Sequence, residues 1–213
     1  MKDSMRLRGF TLVELIVVIA IIGVLAGILV PALLGYVNRA RRRVDASNAK
    51  RLYDDLQMVL YVDDEEYDGK DGKETAYHSF FRTDGSQTIH SVAVVDKEGH
   101  AETYRFKVVC RLDGTKVKTD TRRNGEAVWT GNAESKAVCA ALDEHLGYSS
   151  GSKIYSMPMQ SKGYKGKATD LWLVGYRVDS KDKKIEVWAG SSYGKWHSEP
   201  MYRLYPDVCP EYA

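Results

Sequence analysis

The sequence predicts an α+β protein: a long N-terminal helix, membrane-spanning in its first half and amphipathic in its second, packed on a C-terminal antiparallel sheet with one further helix. Three observations predict it. An apolar run extends from Phe10 to Leu34, interrupted only by Thr11 and Glu14; a helical repeat continues beyond that run; and the second half of the chain alternates with period two. The 213 residues supply ample material for a packed core. A composition of 44% apolar and 28% charged residues excludes a chain disordered throughout, a collagen and a multi-span membrane protein. The net charge of +2 is already present in Lys2, Arg6 and Arg8 set against Asp3. The remainder is therefore balanced, and no specific grip on nucleic acid is expected.

From Leu15 to Leu34 lie 20 uncharged residues, which as a helix cover about 30 Å, the thickness of a hydrocarbon core. A cleaved secretory signal shares the basic start and the apolar stretch. This run is longer than such signals use, and no small-x-small site precedes the basic residues Arg39, Arg41, Arg42 and Arg43, so an uncleaved single-span anchor fits better. Three basic residues precede the span and four follow closely, so charge does not orient it. Glu14 needs an explanation, because a carboxylate in the span costs about 2.5 to 3.5 kcal/mol. One reading places it at the interface, snorkelling or protonated. The other supplies a cation by proteolysis: a cut after Gly9 creates a positive amine on Phe10, four residues before Glu14. Within one helix those groups lie about 6 Å apart along the axis, so a neighbouring subunit shifted along that axis could make the pair. Gly23 and Gly27 form a G-x-x-x-G pair, and with Pro31 and Gly35 they mark one helix stripe where backbones can approach closely.

The string Gly9-Phe10-Thr11-Leu12-Val13-Glu14, with its basic leader and the apolar run through Pro31, resembles the processing and methylation signature of type IV pilins and of the pseudopilins of type II secretion and competence systems. The resemblance covers residues 1 to 60. It implies a prepilin peptidase that cuts between Gly9 and Phe10 and methylates the new Phe10 nitrogen. It also implies that Glu14 pairs with that amine in an adjacent subunit during assembly, and that the leader faces the cytoplasm. The implied partners are that peptidase, other pilin subunits, an assembly platform and, before assembly, the membrane. The implied location is the cytoplasmic (inner) membrane as a single-pass protein, then a cell-surface filament. Gly23, Gly27, Pro31 and Gly35 together weaken the helix by about 6 kcal/mol in water, and the resemblance implies a segment that can unwind near Pro31 once it leaves lipid. The resulting division is a leader at 1–9, a membrane and filament-core helix at 10–35, an amphipathic continuation at 36–62 and a globular head at 63–213. The alternative is a membrane-anchored or secreted enzyme, or a binding module, whose apolar N-terminus is only targeting.

Ala40, Val44, Leu52, Leu56, Val59 and Leu60 recur at helical multiples, with no Gly or Pro until Gly69, and predict that the helix continues past the span. Residues 39–51 carry six basic side chains and one acidic, Asp45, whereas residues 54–68 carry seven acidic and none basic. That asymmetry reads either as a membrane-surface collar followed by a solvated acidic turn, or as complementary stretches that set register in a staggered stack. From Tyr77 onward the pattern changes to strands. Tyr104, Phe106, Val108, Cys110 and Leu112 alternate with Arg105, Lys107, Val109 and Arg111, which predicts one buried face. Trp172 to Val178 and Ile185 to Ala189 flank the polar turn Asp179–Asp182 and predict a hairpin. Asn132 as N-cap, the stripe Val138, Cys139, Leu142 and Leu146, and Gly147 as stop predict one helix.

Three cysteines leave one over. Pairing of Cys139 with Cys209 would pin the tail, with Cys110–Cys139 or three reduced thiols as rivals. Catalytic and cofactor signals are weak. Gly190-Ser191-Ser192-Tyr193-Gly194 fits G-x-S-x-G, but His197 follows too soon and the helix of a nucleophile elbow is absent, so a turn is expected. Asp64, Glu66, Asp68 and Gly69 begin like a calcium loop, yet its twelfth position is Thr75. His78, His90, His100, His145 and His197 lack metal-ligand spacing. Trp188, Tyr193, Trp196, Tyr202 and Tyr205 are expected in the core or, if exposed, in an adhesive patch. No catalytic residue, metal or cofactor is assigned.

Overall fold

The computed structural model describes residues 10–65, 76–81, 89–113, 129–131, 136–145, 159–161, 169–191 and 199–212. The chain forms two compact units, Met1–Ala40 and Arg41–Ala213. Helix α1 runs Leu12–Glu65 and contains Pro31. Among the described residues its apolar side chains from Leu12 to Leu34 are exposed, as befits a segment that sheds water into lipid or into other helices. A Cβ placed on Gly23, Gly27 or Gly35 would meet nothing within 4 Å.

In the second unit, α1 buries Ala49, Leu52, Leu56, Val59 and Leu60. Ala40 and Val44, expected at the head of this stripe, are exposed. The buried stripe instead starts at Asp45, a position that an apolar count passes over. Asp45 is 0% exposed. Its Oδ1 accepts from the Gln160 amide at 2.7 Å, and its Oδ2 from the Ser161 amide at 2.9 Å, the Ser161 hydroxyl at 2.6 Å and the Tyr212 hydroxyl at 3.0 Å. The two hydroxyls also touch each other. Burial, with the Asp45 charge beside it, pushes the Tyr212 phenol well above its ordinary pKa and keeps it a donor. One carboxylate thus fastens both the 159–161 segment and the C-terminal tail to the helix.

The head contains α2 (Ala76–Phe81), β1 (Ile89–Val95), β2 (Ala101–Asp113), β3 (Trp129–Gly131), α3 (Lys136–His145), β4 (Leu171–Arg177), β5 (Ile185–Ser191) and β6 (Glu199–Tyr205). The strands order as β1-β2-β4-β5-β6, with β3 also on β2, and every pairing is antiparallel. Tyr77, where strands were expected to begin, lies in α2. That short helix forms because its aromatic side chains have partners: Tyr77 lies 6.1 Å from Tyr61 and 4.8 Å from Phe81, and Phe80 and Phe81 lie 5.8 and 5.2 Å from Tyr176. The predicted hairpin is β4–β5. The predicted helix is α3, with Val138 and Leu142 buried; Asn132, Leu146 and Gly147 lie outside the described residues, as do the calcium-like stretch from Glu66 to Thr75 and Tyr193, Trp196 and His197.

One buried face was expected of the strands, but β4 and β5 are buried almost throughout. Trp172, Val174, Tyr176, Val187 and Ala189 share the face on which Tyr205 stacks 4.2 Å from Tyr53 of α1. Val92, Val94, Tyr104, Phe106, Leu173 and Trp188 share the other. That second face is enclosed because the sheet curls: β1 and β6, at the two ends of the strand order, approach each other. Within the curl Glu186 is 1% exposed. It accepts from Tyr104 Oη at 2.6 Å and Trp188 Nε1 at 2.8 Å, and lies 3.4 Å from Arg177 and 3.7 Å from Arg203. The alternation in β2 breaks as well. Register shifts between Val108 and Cys110, a bulge at Val109 that sends Cys110 to the face opposite Phe106. Lys107, expected in solvent, is buried with its ammonium 5.3 Å from the Tyr176 ring centre.

Gly175 pairs with Val108 beside this bulge, and a Cβ there would lie 1.8 Å from the Lys107 carbonyl oxygen. Since that neighbour is backbone, Gly175→Ala is expected to lower stability by about 3 kcal/mol, measured by thermal unfolding of the full chain in detergent. Trp188 and Tyr202 are core residues, and the partly buried Tyr205 packs against that core. Ser191, the second residue of the G-x-S-x-G string, ends β5 and is buried. Cys209 is a buried thiol whose pKa is raised first by that burial. The side chain of Cys139, the partner expected for it, lies outside the described residues.

Candidate functional site

The candidate site is the start of α1. Phe10 is 86% exposed and precedes the helix; Gly9 and the leader lie outside the described residues. Thr11 is the N-cap. Its amide and its hydroxyl donate to Glu14 Oε2 at 2.9 and 2.7 Å, while the Glu14 amide donates to Thr11 Oγ1 at 3.3 Å. The Leu15 amide, bonded to the Thr11 carbonyl at 3.2 Å, makes the first helical hydrogen bond. This reciprocal T-x-x-E arrangement is a capping box, and it satisfies amides that would otherwise be orphaned at a helix end.

Its chemistry bears on the lone acid. Among the described residues, both groups that donate to Glu14 belong to Thr11 and are neutral, so they orient the carboxylate without cancelling its charge. Both partners also follow the Gly9–Phe10 bond. A cut there leaves the cap intact and places a new ammonium one residue before it. Sequence reasoning looked for a cation and did not assign Thr11 a role, although the T-x-x-E spacing at the head of an apolar run is a legible signal. Gly23, Gly27, Pro31 and Gly35 all lie within α1, which is helical through Pro31.

An apolar helix long enough to cross a membrane, capped around a single acid and followed by an amphipathic continuation and an α+β head, defines a helix-and-head protein. Residues 4–30 match the prokaryotic N-terminal methylation motif family. A fimbrial protein of Dichelobacter nodosus is 31% identical over 137 residues, covering 57% of this chain and 84% of that protein. The chain belongs to the type IV pilin and pseudopilin family. It is also similar to the type IV major pilin protein PilA of Myxococcus xanthus, 46% identical over 48 residues that make up 22% of each chain. The type II secretion system core protein G of Pectobacterium carotovorum is 47% identical over 57 residues, 27% of this chain and 36% of that one. The chain thus spans well under half the length of these last two relatives. No solved structure matches.

Proposed function

We propose that this chain is a structural subunit of a type IV pilus or a related pseudopilus, without catalysis of its own. A prepilin peptidase cuts between Gly9 and Phe10 and methylates the Phe10 nitrogen. The mature subunit waits as a single-pass protein of the cytoplasmic membrane, leader side inward, until an assembly platform moves it into a surface filament with other pilin subunits. There α1 lies among its counterparts and Glu14 neutralises the Phe10 amine of a neighbour. Gly23 and Gly27 allow close helix approach, and Pro31 and Gly35 mark where the helix can stretch once out of lipid.

One observation carries the reading: among the described residues, an ionisable acid at the head of an otherwise apolar, exposed helix is held by neutral donors alone, so its charge is still to be matched there. Intact-mass and N-terminal fragment analysis of filaments purified from the native host tests it. The expected chain begins with N-methyl-Phe10. Polymer retaining residues 1–9, or membrane protein trimmed elsewhere, would overturn the proposal in favour of a targeting segment.

A further inference from the structure

We propose that the hairpin between β1 and β2 is a binding site for one divalent transition-metal ion of the zinc class, held by Asp96, Glu98 and His100. The ligand atoms of these three side chains lie within 4.8 Å of one another. None takes part in the N-terminal site, and the inference does not rest on filament assembly.

The turn fixes their positions. The Asp96 amide donates to the His100 carbonyl at 3.0 Å and the Gly99 amide to the Asp96 carbonyl at 3.2 Å. Gly99 has φ +91°, left-handed backbone that lets the chain reverse there. Asp96 Oδ1 accepts from the His100 amide at 2.7 Å, which leaves Oδ2 facing His100 Nδ1 at 2.8 Å. Two ligands at about 2.0 to 2.1 Å from a tetrahedral zinc stand about 3.3 Å apart, so these two atoms need to separate by only a few tenths of an ångström to share an ion. His100 then carries its proton on Nε2 and presents Nδ1 to the metal. Glu98, at the tip, closes the third position, and water takes the rest.

The donor set selects the metal. An imidazole nitrogen with two carboxylate oxygens suits zinc, copper or nickel, whereas calcium and magnesium require more oxygens than this hairpin offers. The histidines share no ligand spacing along the sequence; the site arises because the hairpin brings residues i, i+2 and i+4 to one tip.

The test is a zinc titration of the full chain in detergent micelles, followed by the imidazole C–H resonances, with His100→Ala assigning the signal. His100 is expected to shift and saturate at one equivalent, and calcium or magnesium to leave it unmoved. Glu98→Gln removes a ligand without touching the turn. It is expected to keep the metal-free thermal midpoint and to weaken zinc by at least about tenfold, since even outer-shell changes reach that. A His100 signal indifferent to zinc, a zinc response confined to other histidines, or undiminished affinity in Glu98→Gln would overturn the site.

Discussion

Glu14→Ala is expected to leave a chain that inserts in the membrane and folds its head yet is absent from filaments. Two contributions separate here. Loss of the capping box costs the helix start about 1 kcal/mol, which a 54-residue helix absorbs. On the proposed pairing the larger effect falls on the neighbour: with the carboxylate gone, the Phe10 ammonium of the next subunit would enter an apolar core unpaired, and stripping one partner from a buried ion pair costs about 3 to 5 kcal/mol. That corresponds to a loss of roughly a hundred- to a thousand-fold or more in the assembly equilibrium. Thr11→Ala separates the two contributions, because it removes the cap and keeps the charge; filaments of that variant should persist. Quantifying subunit in sheared filaments against subunit in membranes gives the answer, and near wild-type incorporation of Glu14→Ala would remove the electrostatic latch from the account.

The second large effect is expected in the head. Asp45→Ala removes the acceptor shared by the Gln160 and Ser161 amides and by the buried Ser161 and Tyr212 hydroxyls. Hydrogen bonds to a charged group are worth about 1.5 to 3 kcal/mol each, and the deserted donors carry their own desolvation cost. A loss of about 4 kcal/mol is expected, on the order of 10 °C in the thermal midpoint for a domain of this size. Circular dichroism of the full chain in detergent reads the midpoint, and protease resistance of the C-terminal tail reports whether it has come loose. A midpoint within about 2 °C of wild type, with the tail still protected, would mean that apolar packing alone retains the tail.

These two residues differ in how far they could be read from the chain. Glu14 and Thr11 are three apart, and the physics that makes them matter, a costly charge in an apolar run and an orphaned helix end, is written in that local string. The same holds for the span, for the continuation of α1 and for the β4–β5 hairpin, whose signals are periodicities within a few turns or residues. Asp45 looked like the one acid in a basic stretch because its partners lie 115 to 167 residues away. Glu186 stands between the apolar Ile185 and Val187, and alternation cannot reveal that the sheet curls over its second face. The bulge at Val109 reversed the facing of Cys110 for a similar reason, since register belongs to a pair of strands and not to one. The long apolar helix, its single acid and the fold class were therefore legible from local composition and spacing, where hydrophobicity and helix-end chemistry act over a few residues. Where polar groups become affordable inside the head had to await the folded chain, because a buried charge is stable only when donors distant in sequence converge on it.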